Sequence, residues 1–204
     1  MEPGSFRDPA GYIFWKNGKI YRFVAHSYKE HYNYLFSSGL YNYLVDEGFL
    51  IEHKEIPVKN FSTQKNAYKI ISPQKIGIIT YPYEWCFSQL KDAALLTLEI
   101  QKHALKHGMV LKDASAFNVQ FNEGRAVFID TLSFEKYTEG SPWVAYGQFC
   151  RHFLAPLFLA AYTDARLSRL LAFYPDGIPL DLASRLLPKR TYFRFGALAH
   201  IHAH

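Results

Sequence analysis

The chain of 204 residues is poor in sulfur, with two cysteines, Cys86 and Cys150, and two methionines. Neither cysteine stands at a redox or zinc-binding spacing, so a disulfide framework, a thiol redox motif and a zinc finger are all excluded. So few thiols fit a reducing compartment, and the cytoplasm is the expected location. Long apolar runs are missing too. The best candidate, residues 153–162, is about half the ~20 residues that span a bilayer and reads as a buried helix. The opening Met1-Glu2-Pro3-Gly4 has no basic-then-apolar leader pattern, and no membrane partner is expected. There is no Gly-x-Ser-x-Gly nucleophile setting, no internal repeat and no low-complexity segment. Positive charge is not concentrated either. The net +5 attracts phosphates in general, but the nearest basic cluster is Arg185, Lys189, Arg190 and Arg194, too sparse to predict a dedicated nucleic-acid surface.

What is abundant points to a packed globular chain. Hydrophobic residues make up 49% and charged residues 20%, and the length suits one domain or two small lobes around a shared cleft. Aromatics reach 17%, with 15 Tyr and 17 Phe, and are read mainly as core.

The pattern along the chain changes near residue 86. Residues 11–25 place Asn17-Gly18 between two aromatic and β-branched runs, which predicts a hairpin. Ser27 would start a helix to about Phe36, Tyr41 to Glu47 a second short helix, and residues 49–56, 67–72 and 76–81 three strands. From Phe87 to His107 the residues Phe87, Leu90, Ala94, Leu98 and Leu105 recur at helical intervals, and Gly108 stops the helix. Two short strands follow, Val119–Phe121 and Ala126–Ile129, and then helices over 143–162, 164–173 and 179–187, the first kinked or divided at Pro156. The fold class predicted is α+β: a β-rich lobe over residues 1–80, a connector at 81–85, and a helical lobe over 86–204. A cleft at the connector is the natural ligand site.

The stretch that carries chemistry is Leu111-Lys112-Asp113-Ala114-Ser115-Ala116-Phe117-Asn118-Val119, followed by Val127-Phe128-Ile129-Asp130-Thr131. Asp113 and Asn118 are five apart on a loop between a long helix and a strand, and Asp130 lies twelve beyond Asn118 at the end of an apolar strand. The order brings two hard oxygen ligands, Asn118 and Asp130, to the ends of neighbouring strands, a set Mg²⁺ accepts together with phosphate and water. Asp113 could accept the proton of an attacking hydroxyl. Each of the three has an ordinary alternative: Asp113 capping a turn, Asn118 forming an Asx turn, Asp130 ending a strand.

This segment resembles the catalytic and metal-binding segments of the protein-kinase-like superfamily, nearer its aminoglycoside-phosphotransferase branch. The resemblance implies a two-lobe fold using ATP and Mg²⁺, Asp113 as catalytic base, Asn118 and Asp130 as metal ligands, and a small-molecule or protein acceptor. It also implies Arg22 in place of the usual lysine on the strand facing the phosphates, with Glu30 as its ion-pair partner, and adenine held against the connector at Tyr83, Glu84 and Trp85. The chain departs from the family's pattern in having Lys112 before the Asp, Thr131-Leu132-Ser133 after Asp130, and only Gly4 through Gly11 as a phosphate-loop candidate. More broadly, the whole chain is similar to the N-terminal region of bacterial proteins described as class I S-adenosylmethionine-dependent methyltransferases, which implies a non-catalytic module beside a C-terminal methyltransferase domain. Two further expectations concern the end of the chain. His200, His202 and His204 are read as a solvated terminus rather than a metal site, and residues 188–204 as packing on a partner chain or continuing into a further domain.

Overall fold

The computed structural model describes residues 9–61, 63–64 and 66–203. A hairpin opens the fold: β1 (Gly11–Lys16) and β2 (Lys19–Ala25) pair antiparallel, with Ile13 opposite Arg22. Asn17 and Gly18 take φ of 51° and 71°, the positive values that a two-residue turn matched to strand twist needs. A 3₁₀ turn over His26–Tyr28 leads into α1 (Lys29–Ser37), and Gly39, at φ 81°, separates it from α2 (Leu40–Asp46). Next come β3 (His53–Ile56) and β4 (Ala67–Pro73), which complete a four-stranded antiparallel sheet in the order β1-β2-β4-β3.

The predicted strand at 76–81 does not form. Residues 76–81 join none of the described sheets. Ile78 and Ile79 stand exposed.

The long helix α3 (Phe87–Lys106) forms as expected, but with a different inner face. Leu90, Ala93, Ala94, Thr97, Ile100, Gln101 and Ala104 are buried, whereas Phe87, Leu98 and Leu105 are exposed. Small residues on the inner face let the backbone of α3 approach its neighbours closely, while a filled position such as Ile100 contributes about 2 kcal/mol of apolar burial.

Two nested antiparallel pairs follow: β5 (Met109–Leu111) with β8 (Phe134–Lys136), and between them β6 (Val119–Asn122) with β7 (Arg125–Phe128). Strands as short as β5 and β8 were not anticipated. Residues 49–51 dock onto β7, with the Phe128 amide donating to Phe49 and the Ile51 amide donating to Phe128, each at 2.8 Å.

The remainder is helical. α4 (Tyr146–Phe149) and α5 (Ala155–Tyr162) are joined by a wider π-helical turn over Cys150–Leu154, where the Ala155 amide reaches back five residues to Cys150. This is where Pro156, lacking an amide proton, was expected to divide the helix. A 3₁₀ segment over Ala165–Ala172 and α6 (Leu180–Leu186) follow. The terminal turns, including α7 (Phe195–Ala197), fold back on this helical part and bury Thr191, Ala197 and Ile201. His202 is part of that packing: it contacts Ser184 and Thr191 hydroxyls at 2.8 Å and stacks on Tyr192. His200 bonds the Tyr146 hydroxyl. Residues 188–203 therefore pack at least in part on their own chain, although Phe193 and Phe195 remain exposed. His204 lies outside the described residues.

The architecture is α+β, with antiparallel strands in every sheet. Among the described residues no helix is long and apolar enough to cross a membrane.

Candidate functional site

The loop after β5 is fixed from several sides. The Leu111 amide donates to the buried Gln101 side chain of α3 at 2.9 Å, and its carbonyl accepts the Trp143 indole N–H at 2.7 Å. The Lys112 amide donates to Ser133 at 2.8 Å. Asp113 then turns back on itself: its Oδ1 accepts the Ser115 amide and the Gln148 Nε2, both at 2.9 Å. Gln148, on α4, also accepts the Ala114 amide through Oε1 at 2.7 Å. One neutral side chain thereby sets both the loop backbone and the carboxylate orientation.

Asn118 closes a 3₁₀ turn over Ala116–Asn118 immediately before β6, and donates through Nδ2 to Ser133 Oγ at 3.3 Å. Asp130 caps the 3₁₀ turn Thr131–Ser133 by accepting the Leu132 amide at 2.8 Å. The same Oδ1 pairs with Arg22 Nη1 at 2.7 Å, both side chains being 12% exposed.

Arg22, Asp113, Asn118 and Asp130 line one cleft of about 570 Å³, which also takes in Lys112, Ser133, Gln148 and His152. With Asp176, which also lines it, two cations and three carboxylates share the space, a mixture suited to a phosphate held with a divalent cation. Among the described residues no group of three His, Cys, Asp or Glu side chains is placed to hold a metal unaided. The donor set nevertheless fits Mg²⁺. Asp130 meets Arg22 and the Leu132 amide through Oδ1, and Asn118 meets Ser133 through Nδ2, so Asp130 Oδ2 and Asn118 Oδ1 are the oxygens that would face a cation.

The other expected site residues lie elsewhere. Glu30, in the first turn of α1, pairs with Lys136 of β8 at 2.5 Å and not with Arg22, because α1 packs against β8. Tyr83 stacks on Tyr81, with ring centroids 5.4 Å apart. Glu84 is exposed and closes its own turn by accepting the Tyr81 amide at 2.7 Å. Trp85 is buried, donates to Thr80 Oγ1 at 2.9 Å and meets Phe121 edge-on. None of the three lines the cleft. Of the phosphate-loop candidate, residues 4–8 fall outside the described residues. Gly11 is needed for packing, since a Cβ there would lie 1.9 Å from the Phe23 carbonyl oxygen.

Sequence reasoning missed Gln148 and His152. His152 is 1% exposed, and its Nδ1 has no hydrogen-bond partner among the described residues. Burial lowers its pKa from the ordinary 6.5 to about 4, helped by Arg151 and opposed by Asp176, so the ring is neutral at pH 7. The only signal in the sequence was its position four residues after Gln148, one helical turn along.

No family model matches the chain. It is 35% identical over 199 residues to nodulation protein NoeA of Rhizobium meliloti (strain 1021). The match covers 97% of this chain and 41% of that protein, so the chain spans less than half the length of this relative.

Proposed function

We propose that the cleft binds Mg²⁺ and the phosphates of ATP, and that the chain is a phosphotransferase-like domain of the protein-kinase-like kind, a sheet lobe and a helical lobe on either side of the connector. The observation that carries this reading is the meeting of Arg22, Asp113, Asn118 and Asp130 in one cleft from four separate positions in the chain. Support also comes from the nesting of β6-β7 inside β5-β8, with Asp113 and Asn118 in the loop entering the inner pair and Asp130 in the turn leaving it. In this reading Asn118 Oδ1 and Asp130 Oδ2 hold Mg²⁺, which would neutralise phosphate charge. Arg22, 2.7 Å from Asp130 Oδ1, would stand beside that ligand as a cation for phosphate oxygens.

An acceptor hydroxyl, on a small molecule or a protein, would attack the terminal phosphorus while the bond to the bridging oxygen breaks. The hydroxyl proton would pass to Asp113, whose orientation Gln148 fixes. ATP and Mg²⁺ at millimolar levels, with Cys86 and Cys150 as free thiols, suit a cytoplasmic setting.

A second reading has its own support: a catalytically silent module that works beside another domain, such as a methyltransferase. Asp130 is already paired with Arg22, Asp113 already carries two hydrogen bonds, and the relative is far longer than the chain.

Isothermal titration with ATP and Mg²⁺ tests the site itself. Binding is expected for the wild type, and Asp130→Ala should abolish its metal-dependent part. Absence of heat at millimolar Mg·ATP would overturn the proposal.

A further inference from the structure

The first residues of the segment where a nucleobase was expected, Thr80 to Pro82, have their polar backbone groups already engaged. The Thr80 amide donates to Gln120 Oε1 at 2.9 Å, and Gln120 Nε2 donates back to the Thr80 carbonyl at 2.9 Å. One residue on, the Tyr81 amide donates to Glu84 Oε2 at 2.7 Å and the Tyr81 carbonyl accepts the Glu84 amide at 2.8 Å. Pro82 has no amide proton, and its carbonyl accepts the Trp85 amide at 3.4 Å. From Thr80 to Pro82 every backbone donor and acceptor therefore has a partner within the chain.

Gln120 is 4% exposed and lies on β6, two residues beyond Asn118. A primary amide offers an acceptor and a donor next to one another. That is the pattern an adenine edge would offer to a peptide N–H and C=O, and an amide and an adenine edge are complementary to the same kind of partner. Gln120 thus makes the pair of contacts through which the connector would read a base. The cleft lining agrees: it contains the cations and carboxylates described above and no residue from 80 to 85.

We propose that Gln120 is a specificity-determining residue that closes the connector to nucleobases, so that the cleft selects its ligand through magnesium-bound phosphates and not through a base. This rests on the reading of the cleft as a magnesium–phosphate site. The ligand class it names is a polyphosphate or a diphosphate- or triphosphate-bearing compound, with any base or none. Removing the Gln120 amide uncovers the Thr80 pair and opens space beside it, and the connector then gains the means to hold a purine.

The test compares Mg·ATP, Mg·GTP and Mg·tripolyphosphate by isothermal titration on the full chain, with Gln120→Ala and Gln120→Leu as variants. The wild type should bind all three within about threefold. Gln120→Ala should bind ATP about tenfold tighter while its tripolyphosphate affinity stays the same; Gln120→Leu, which keeps the bulk, should not gain. A wild type that prefers ATP to tripolyphosphate by tenfold or more overturns the inference and leaves the magnesium–phosphate reading intact. So does an unchanged ATP preference in a folded Gln120→Ala, judged by its thermal melt. Should that variant fail to fold, the wild-type comparison decides alone. No binding of any probe at millimolar concentration overturns the magnesium–phosphate reading, and this inference with it.

Discussion

Two buried histidines should make the protein acid-labile well above the carboxylate range. His53, 8% exposed at the start of β3, contacts the Tyr32 hydroxyl through Nε2 at 3.2 Å and the Thr131 hydroxyl through Nδ1 at 3.3 Å. Tyr32 gives its own proton to Glu55, at 3.0 Å, so the network assigns His53 as a neutral Nε2–H donor to Tyr32 and an Nδ1 acceptor from Thr131. Burial lowers its pKa from 6.5 to about 4, with Glu55 opposing. His152 is depressed to about 4 by the same dominant cause. Between pH 6.5 and pH 4 the unfolded chain therefore holds more protons than the folded one, and stability rises with pH in that window. The contribution is present above pH 6.5, is lost as pH falls, and is not lost further below pH 4. At pH 5 the loss is about 2 kcal/mol per histidine, or about 4 kcal/mol for both, against a typical total of ~5–15 kcal/mol. Urea unfolding at constant ionic strength from pH 7 to pH 5 measures the slope. His53→Gln and His152→Gln should each lower stability at pH 7 and remove about 2 kcal/mol of the fall to pH 5. Variant curves running parallel to the wild type would refute the reasoning.

The chemistry and the cleft wall give two more expectations. Asp113→Asn should cut ATP turnover by about 10²–10⁴-fold with little change in nucleotide affinity, since a general base acts in the transition state; a fall in affinity alone would argue against that role. Gly177→Ala should cost about 1–3 kcal/mol in a thermal or urea melt. Gly177 has φ 88°, and a Cβ there would lie 2.6 Å from Arg151 Cβ and 2.8 Å from its backbone carbon, on the turn behind His152. An unchanged melt would show that the Arg151 segment can move aside.

Much of the fold was readable because its signals are local. Asn17-Gly18 marked the first hairpin, and both residues take the positive φ such turns need. Asp113, Asn118 and Asp130 were picked out by order and spacing and Arg22 by the family resemblance, and all four line one cleft. The errors arose where a local pattern met a tertiary decision. Leu98 and Leu105 fit the helical period of α3 as well as Ile100 does, but beside the expected Leu90 and Ala94 the inner face took Ala93, Thr97 and Ala104, because close approach favours small side chains. Ile76, Ile78 and Ile79 read as a strand, yet the segment joins no described sheet and leaves Ile78 and Ile79 exposed. Glu30 had the right position in sequence for Arg22, but α1 turns it to Lys136.

The residues hardest to foresee share one chemistry. Gln101, Gln120 and Gln148 lie far in sequence from the backbone groups they hold, which are Leu111, Thr80 and Ala114. A glutamine amide carries a donor and an acceptor without charge, so it can satisfy a peptide group in a buried setting at no cost in net charge. That matters beside a cleft where Arg22, Lys112, Asp113 and Asp130 already crowd together. A carboxylate in place of Gln148 would repel Asp113, and a lysine would pair with it and draw it off the loop. Because such bonds join distant elements, they leave no period and no motif in the sequence. The loop that carries Asp113 is consequently readable as a string of residues, while the groups that aim it emerge only when α3, β5 and α4 are packed together.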